Sequence, residues 1–452
     1  MSPLTVQVEQ LSQICGSERL LSDRARCERY AVDGIVPAAV VEPESPEQVC
    51  AIVRWARAER AALRPVGSGC LLGWGGLPER VDVVVSLARV NSVLHYDPGD
   101  LTLGVGAGMP LARLQETLAK HNQFLPANPP AADEAQIGGL LATNLSGPWR
   151  YAYGSWRDFV LGLRFVAGTG KLVRTGGRVV KNVAGYDLSK LLIGSLGTLG
   201  IIVEVNFKAF PQPAETSTWI AEFADVRAAL ALRSAIVHSP LQPMAIELLD
   251  AAAARLVRHS QLSTSPWSLI VEAGGPAKVL ERYDTELAQR ARQAGASRYT
   301  RIQGDEEATL WAGIADFPRR ARAASPGTTI VKASLPLTQM ETFLAQAAQS
   351  AQRYALPTAA GARAGSGIVY LALLAESAEA DAVERVSQAS TEMIHYGTSL
   401  GGRVMIEWAP TAVKRQVNVW GPARDDLALM QALKREFDPD RILNPGRFVA
   451  QL

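Results

Sequence analysis

The chain has 452 residues, 48% hydrophobic and 20% charged, with a formal net charge of +2. That length holds about two to three domains with ordinary cores, and the near-neutral balance gives no support for a nucleic-acid or strongly acidic partner. The four cysteines, Cys15, Cys27, Cys50 and Cys70, form no CxxC pair, which argues against a zinc site or an iron–sulfur cluster on this chain and for a reducing compartment.

In chain order, the N-terminus MSPLTVQVEQLSQICGSERL has no apolar h-region, so no signal peptide is expected. No run approaches the ~20 apolar residues of a membrane span. A cytoplasmic location is expected, with any membrane contact peripheral, at the inner face and through partners. Residues 4–16 and 18–30 read as short amphipathic helices. Val36 to Val41 is a strand. Ser45-Pro46-Glu47-Gln48 then reads as N-cap, Pro at N1 and acidic first turn of a helix to about Arg60. Leu63 to Val66 is a strand that runs into Gly67-Ser68-Gly69-Cys70-Leu71-Leu72-Gly73-Trp74-Gly75-Gly76. Strands follow at Val81 to Ser86, Val93 to Tyr96 and Leu101 to Ala107, the last two joined by the turn Asp97-Pro98-Gly99-Asp100. Pro110 opens a helix, and Ile137 to Gly147 is a short apolar helix between small-residue turns. Leu161 to Ala167 and Lys171 to Arg174 form a hairpin.

The stretch Gly177 to Phe210 carries Gly177, Gly185, Gly194, Gly197 and Gly200 between apolar runs. It reads as strand or turn over Val179 to Ala184, a helix over Asp187 to Ile193 with Asp187 as N-cap, a left-handed turn at Gly194, and a strand over Ile201 to Phe207. Taken alone it could be a turn in a core. After Pro211 and Pro213 the pattern changes to alternating helices (225–238, 276–294, 305–323, 336–352, 377–399) and strands (244–249, 267–273, 328–334, 367–374, 403–408). The last helix, about Arg424 to Phe437, leads into Arg441-Ile442-Leu443-Asn444-Pro445-Gly446-Arg447-Phe448.

Three glycine-rich turns in one half of the chain suggest a long phosphate-bearing ligand, because consecutive backbone N–H groups of such a turn form an anion nest. The first loop has no Gly-Lys-Ser/Thr and is not G-x-G-x-x-G opening a helix, which disfavours ATP hydrolysis and a nicotinamide site.

Pro65 to Gly69 (PVGSG), Ile137 to Gly147 (IGGLLATNLSG), Tyr153 to Val166 (YGSWRDFVLGLRFV), Lys181 to Ile202 (KNVAGYDLSKLLIGSLGTLGII) and Arg441 to Phe448 (RILNPGRF) resemble, in order, the vanillyl-alcohol-oxidase-type (PCMH-type) FAD-binding family. Within it, Arg178 to Ile202 is most similar to the E subunits of bacterial glycolate oxidases. These are FAD-binding components of complexes with a second flavoprotein and an iron–sulfur protein. The resemblance implies an α+β chain: N-terminal helices over 1–34, a two-subdomain FAD-binding domain over 35–212, an α/β cap with an antiparallel sheet over 213–410, and a C-terminal segment over 411–452 returning to the FAD domain. It implies that Gly67, Ser68, Gly69, Cys70 and Leu71 hold the pyrophosphate, that Gly139, Thr143, Asn144 and Gly147 line a second wall, and that Gly200 and Ile202 present backbone to FAD. The first loop lacks the histidine of covalent family members, so non-covalent FAD is expected; Cys70 reads as a small apolar filler.

The family's substrate motifs are altered. Where its metal-binding histidines stand, this chain has Arg363 and Tyr370, and where its proton-accepting histidine stands it has Trp408, which has no lone pair to accept a proton. Glu407 and Lys414 keep their frame. Arg363, Arg403 and Lys414 are candidate cations for a substrate carboxylate, no metal is expected, and the catalytic residues are left open. The five histidines (95, 121, 238, 259, 395) read as surface or packed residues, His395 being the least unsuited base. Pro318-Arg319-Arg320-Ala321-Arg322 reads as a solvated helix face, or else a docking patch for an acidic partner. Three functions follow: a FAD-binding subunit of a glycolate (2-hydroxyacid) dehydrogenase complex, with a catalytic flavoprotein subunit and an iron–sulfur subunit as partners; a free-standing dehydrogenase with an unrecognised base; or an assembly subunit without flavin.

Overall fold

The computed structural model describes residues 8–179, 186–423 and 425–452. The expected strand or turn over Val179 to Ala184, Gly185 and the first residue of the expected last helix, Arg424, fall partly or wholly outside them.

Two small sheets and one large sheet organise the chain. The first sheet orders Leu20–Leu21, Ala39–Val41, Val83–Ser86 and Leu63–Val66, the last three strands running parallel. Between them runs the helix Pro46–Glu59, whose Ser45 hydroxyl caps Gln48 N at 3.2 Å. The second sheet is antiparallel and orders Val93–Asp97, Thr102–Gly106, Gly200–Lys208, Val160–Ala167 and Leu172–Gly176. Asp97 Oδ1 closes its first hairpin by accepting from Gly99 N and Asp100 N. One apolar core joins the two sheets, filled by residues such as Ile52, Trp156, Phe165 and Phe207.

The third sheet has eight strands, all antiparallel, in the spatial order Arg298–Ile302, Glu215–Phe223, Trp267–Gly275, Ala245–Asp250, Thr358–Arg363, Ile368–Leu373, Thr329–Ser334 and Arg403–Trp408. Helices Val226–Val237, Ala277–Gln293, Met340–Arg353 and Ala380–Ser399 cover one face. The other face meets Ala251–Val257, Asp305–Ala315 and Phe317–Ala324, and also Trp149 from the glycine-rich half.

Several expected elements differ. Residues 18–30 are not one helix: after a 3-10 turn over Ser17–Arg19, Leu20–Leu21 pairs as a strand with Val40 and Val41, leaving only Arg24–Glu28 α-helical. The helix expected over 305–323 breaks at Asp316, because Pro318 has no N–H to continue it. The helix near Asp187 is a single turn, Ser189–Leu192. Leu188 precedes it without a side-chain cap, and the Asp187 carboxylate pairs with Lys190 instead. Gly194 does take the left-handed conformation, at φ 87°.

The C-terminal segment returns to the first sheet. Leu63 N donates to Ile442 O at 2.7 Å and Asn444 N to Leu63 O at 2.9 Å. Asp438 is fully buried and accepts from Ile442 N, Leu443 N and Lys434 Nζ. Lys434 Nζ also donates to Thr198 O at 2.8 Å, tying this segment to the glycine turn at 194–200.

Candidate functional site

Two adjoining cavities form a cleft between the small sheets and the C-terminal return. Gly67, Ser68, Gly69, Cys70 and Leu71 line the first, together with Gly139 and Thr143 from the short helix Ile137–Thr143. Gly200 and Ile202 line the second, with Gly138, Gly139 and Gly197. The three glycine turns thus converge. Gly69 has φ 86°, which lets the loop turn back on itself as a side chain would not. A Cβ at Gly139 would meet nothing, so this wall faces open space. Asn144 and Gly147 are not among the residues lining either cavity. Asn144 is the left-handed cap of the short helix, and Gly147, at φ 85°, lies where a Cβ would overlap the Asn128 carbonyl.

Below the first loop lies a charged knot. Asp33 accepts from Lys414 Nζ at 3.1 Å and pairs with Arg447 at 3.2 Å. Lys414 also donates to Gly73 O at 2.7 Å, while Arg447 donates to the carbonyls of Leu72, Trp74 and Gly76. Burial, opposed by Asp33, brings Lys414 down to about 8. Lys414 therefore holds the loop and is not free for a substrate. Arg64, which the sequence reading passed over, lines the same cavity.

Trp408 joins cleft and cap. A Cβ at Gly73 would overlap its ring, and the Arg322 guanidinium stacks 3.2 Å from the ring centroid. Arg322 belongs to the basic run Pro318–Arg322, none of whose residues is exposed. The reading as a solvated face or docking patch is corrected: Arg319 pairs with Asp316 and Glu134, and Arg320 with Val257 O, so their partners lie within this chain.

On the cap-sheet face that meets Trp149, six ionisable side chains stand in one row, one per strand: Glu272, Glu247, Arg363, Tyr370, Lys332 and Glu407. Register puts Glu247 opposite Arg363 and Lys332 opposite Tyr370. Arg363 lies 3.7 Å from Glu247, and Lys332 lies 3.2 Å from Glu407. The Arg363 guanidinium and the Lys332 ammonium sit 5.0 and 5.5 Å from the Tyr370 ring centroid. Burial, against the pull of Arg363, pushes Glu247 up to about 8, and burial does the same to Glu272 despite its bond from Trp149 Nε1 at 2.6 Å. Burial works against the charge on Lys332, yet Tyr370 and Glu407 outweigh it and hold the ammonium up. Lys332 and Tyr370 each stand as the one charge or phenol of a short, mostly apolar strand (TIVKAS, IVYLAL), a signal present in the sequence.

Of the other candidates, Arg403 is exposed at a strand start and His395 is exposed on the helix Ala380–Ser399, which covers the opposite face of the cap sheet. His259 bonds Glu306 O and His238 bonds Ser234 O. His95 is enclosed beside Gly104, and His121 stands edge-on to Tyr96. Among the described residues, no three His, Cys, Asp or Glu side chains group as a metal site, and no helix is long and apolar enough to cross a membrane.

Two sheets sharing a glycine-walled cleft, joined through Trp408 to a cap sheet that buries a row of ionisable groups, are the frame of a cofactor-dependent enzyme. The FAD binding domain matches residues 37–176, and the C-terminal domain of FAD linked oxidases matches residues 212–448. The second match spans more than half of the chain, which belongs to the FAD-linked oxidase family. It is an α+β oxidoreductase of PCMH-type fold, and its cofactor is FAD. It is 28% identical to glycolate oxidase subunit GlcD of Bacillus subtilis over 98% of this chain and 96% of that one. It is 42% identical to glycolate oxidase subunit GlcE of Escherichia coli over 157 residues, 34% of this chain and 44% of that one. In fold it is similar to p-cresol methylhydroxylase with substrate bound, at TM-score 0.79 and 16% identity, covering 97% of this chain and 95% of that one.

The cleft fits such a group. Arg64 and Gln136 are among the residues lining it, the terminal nitrogens of the one and Oε1 of the other being buried and, among the described residues, without hydrogen-bond partners, and a backbone of glycines leaves N–H groups accessible to an anion.

Proposed function

We propose that this chain is the FAD-binding subunit of a 2-hydroxyacid dehydrogenase complex that oxidises glycolate to glyoxylate, with a second flavoprotein and an iron–sulfur subunit as partners. The observation that carries it is the glycine cleft joined through Trp408 to a buried row of ionisable side chains that includes Arg363 and Lys332. The names of the relatives supply the substrate class.

In this reading residues 35–212 are the FAD domain, 213–410 the cap, and 411–452 the returning segment. Backbone groups of Gly67, Ser68, Gly69, Cys70 and Leu71 hold the diphosphate; Gly139 and Thr143 form the second wall, which Asn144 and Gly147 shape from behind; Gly200 and Ile202 border the far end. The Cys70 thiol, pushed up by burial, stays protonated and unlinked, so FAD is non-covalent. Bound FAD supplies the two-electron acceptor. Arg363 and Lys332 give positive charge for a carboxylate, and the planar Arg363 fork suits one best. For the hydroxyl proton, Glu407 Oε2 is an acceptor: buried, ion-paired to Lys332 and, among the described residues, without a well-aligned hydrogen bond.

The same row favours a second reading, turnover by this chain alone. Anaerobic mixing of the purified chain with glycolate, with and without the partner subunits, separates them. Flavin bleaching only in the assembly supports the subunit reading; bleaching of the isolated chain supports the second. No bleaching by glycolate or D-lactate in either case rejects both.

A further inference from the structure

Arg64 stands three residues ahead of Gly67, on Leu63–Val66, opposite Val84 of the neighbouring strand. It is 2% exposed. Its Nε donates to Asn444 Oδ1 at 3.2 Å, but both terminal nitrogens are buried and, among the described residues, make no hydrogen bond. Arg64 is among the residues that line the cavity, with Ser68, Gly69 and Cys70.

Three cations and a single carboxylate meet here. Asp33 is shared by Lys414 and Arg447, and both of these also bond the carbonyls of residues 72–76. Their hydrogen-bonding capacity is engaged; of Arg64, only Nε is. Burial, with repulsion from Arg447, brings Arg64 down only to about 9, so it is charged at neutral pH. Asp33, the carboxylate that eases this charge, is already engaged by Lys414 and Arg447, and a buried guanidinium so weakly compensated is costly. Its place beside an open glycine nest, with two forked N–H donors free, matches a phosphate oxygen pair.

We propose that Arg64 is the counter-ion of the FAD diphosphate, completing the backbone nest of residues 67–71. This rests on the reading that FAD lies in this cleft. In FAD-free protein Arg64 is then a liability, and in loaded protein a ligand, so its removal acts with opposite signs on the two forms.

The test strips FAD from the purified chain and compares wild type with Arg64→Met and Arg64→Lys. Dissociation constants for FAD and for ADP, which has the diphosphate but no flavin, are measured with the thermal midpoint of the FAD-free protein and the flavin potential of the loaded one. Arg64→Met should weaken FAD and ADP by a similar factor, on the order of 10–100-fold, raise the FAD-free midpoint, and leave the potential unchanged. Arg64→Lys should recover part of the affinity, and carries the test should the methionine variant not fold. Unchanged FAD affinity overturns the proposal. So does a shifted potential with unchanged ADP affinity, which would place Arg64 at the flavin ring, or a lowered FAD-free midpoint. Wild-type chain that binds neither FAD nor ADP fails the cleft reading itself, a result distinct from any variant effect.

Discussion

Replacing Glu272 by Gln should remove a pH-dependent burden from the cap. The carboxylate lies inside Trp267–Gly275, 3% exposed, with Trp149 Nε1 as its donor and, among the described residues, no ion-pair partner. Burial pushes it from 4.5 to about 8, with Glu307 and Glu247 adding repulsion. Between those values the folded protein keeps a proton that the unfolded chain has lost. For this group, stability is full below the unfolded value and falls as pH rises towards about 8, by up to about 1.4 kcal/mol per pH unit. At neutral pH the loss is about 3 kcal/mol. The Gln oxygen still accepts from Trp149, and the amide does not ionise. Urea denaturation of both proteins from about pH 5 to about pH 8 should give curves that nearly coincide at the acid end and diverge with pH, Glu272→Gln being the more stable. The difference between the proteins is the readout, since other carboxylates tilt both alike. A constant difference across that range would refute a neutral buried Glu272.

The loop itself can be probed at Gly69, whose φ of 86° and Leu72 neighbour leave no relaxed place for a side chain. Gly69→Val should purify with little flavin, read as the ratio of visible to protein absorbance. Cys70→Ser should keep its flavin, and acid precipitation of wild type should leave all flavin in the supernatant; colour in the pellet would mean a covalent link. Lys434→Met leaves Asp438 buried and unpaired and frees Thr198 O. It should cost about 3–5 kcal/mol, seen in denaturant titration, and loosen the 194–200 turn.

Much of the glycine-rich half was legible because its signals are local: a cap at Ser45, a turn at Asp97 to Asp100, glycines at strand ends. The returning segment was legible as a motif, and Leu63 shows why it must return, since both its backbone groups pair with Ile442 and Asn444. In the cap, Glu215–Phe223, Arg298–Ile302 and Thr358–Arg363 went unseen. Their sequences ETSTWIAEF, RYTRI and TAAGAR lack a run of large apolar residues, and their strand character comes from neighbours in the sheet. The charged row was hidden for a different reason. Glu247, Lys332, Arg363 and Glu407 are spread over 160 residues and adjoin only after eight strands have paired. Arg322 was misjudged because a run of arginines reads as a surface, while the Trp408 ring gives this one a buried seat. Arg64 carried a signal, a charge between Leu63 and Pro65 in a strand feeding a glycine loop, whose meaning needed the missing partner to be seen.

The account stands on FAD lying in the glycine cleft, and the flavin content of the natively purified chain tests it most directly, measured beside that of Gly69→Val. The expected result is a yellow protein with one acid-releasable FAD per chain and a folded but nearly colourless variant. A wild-type chain that is folded, colourless and unable to take up added FAD, or a variant as yellow as wild type, would contradict it.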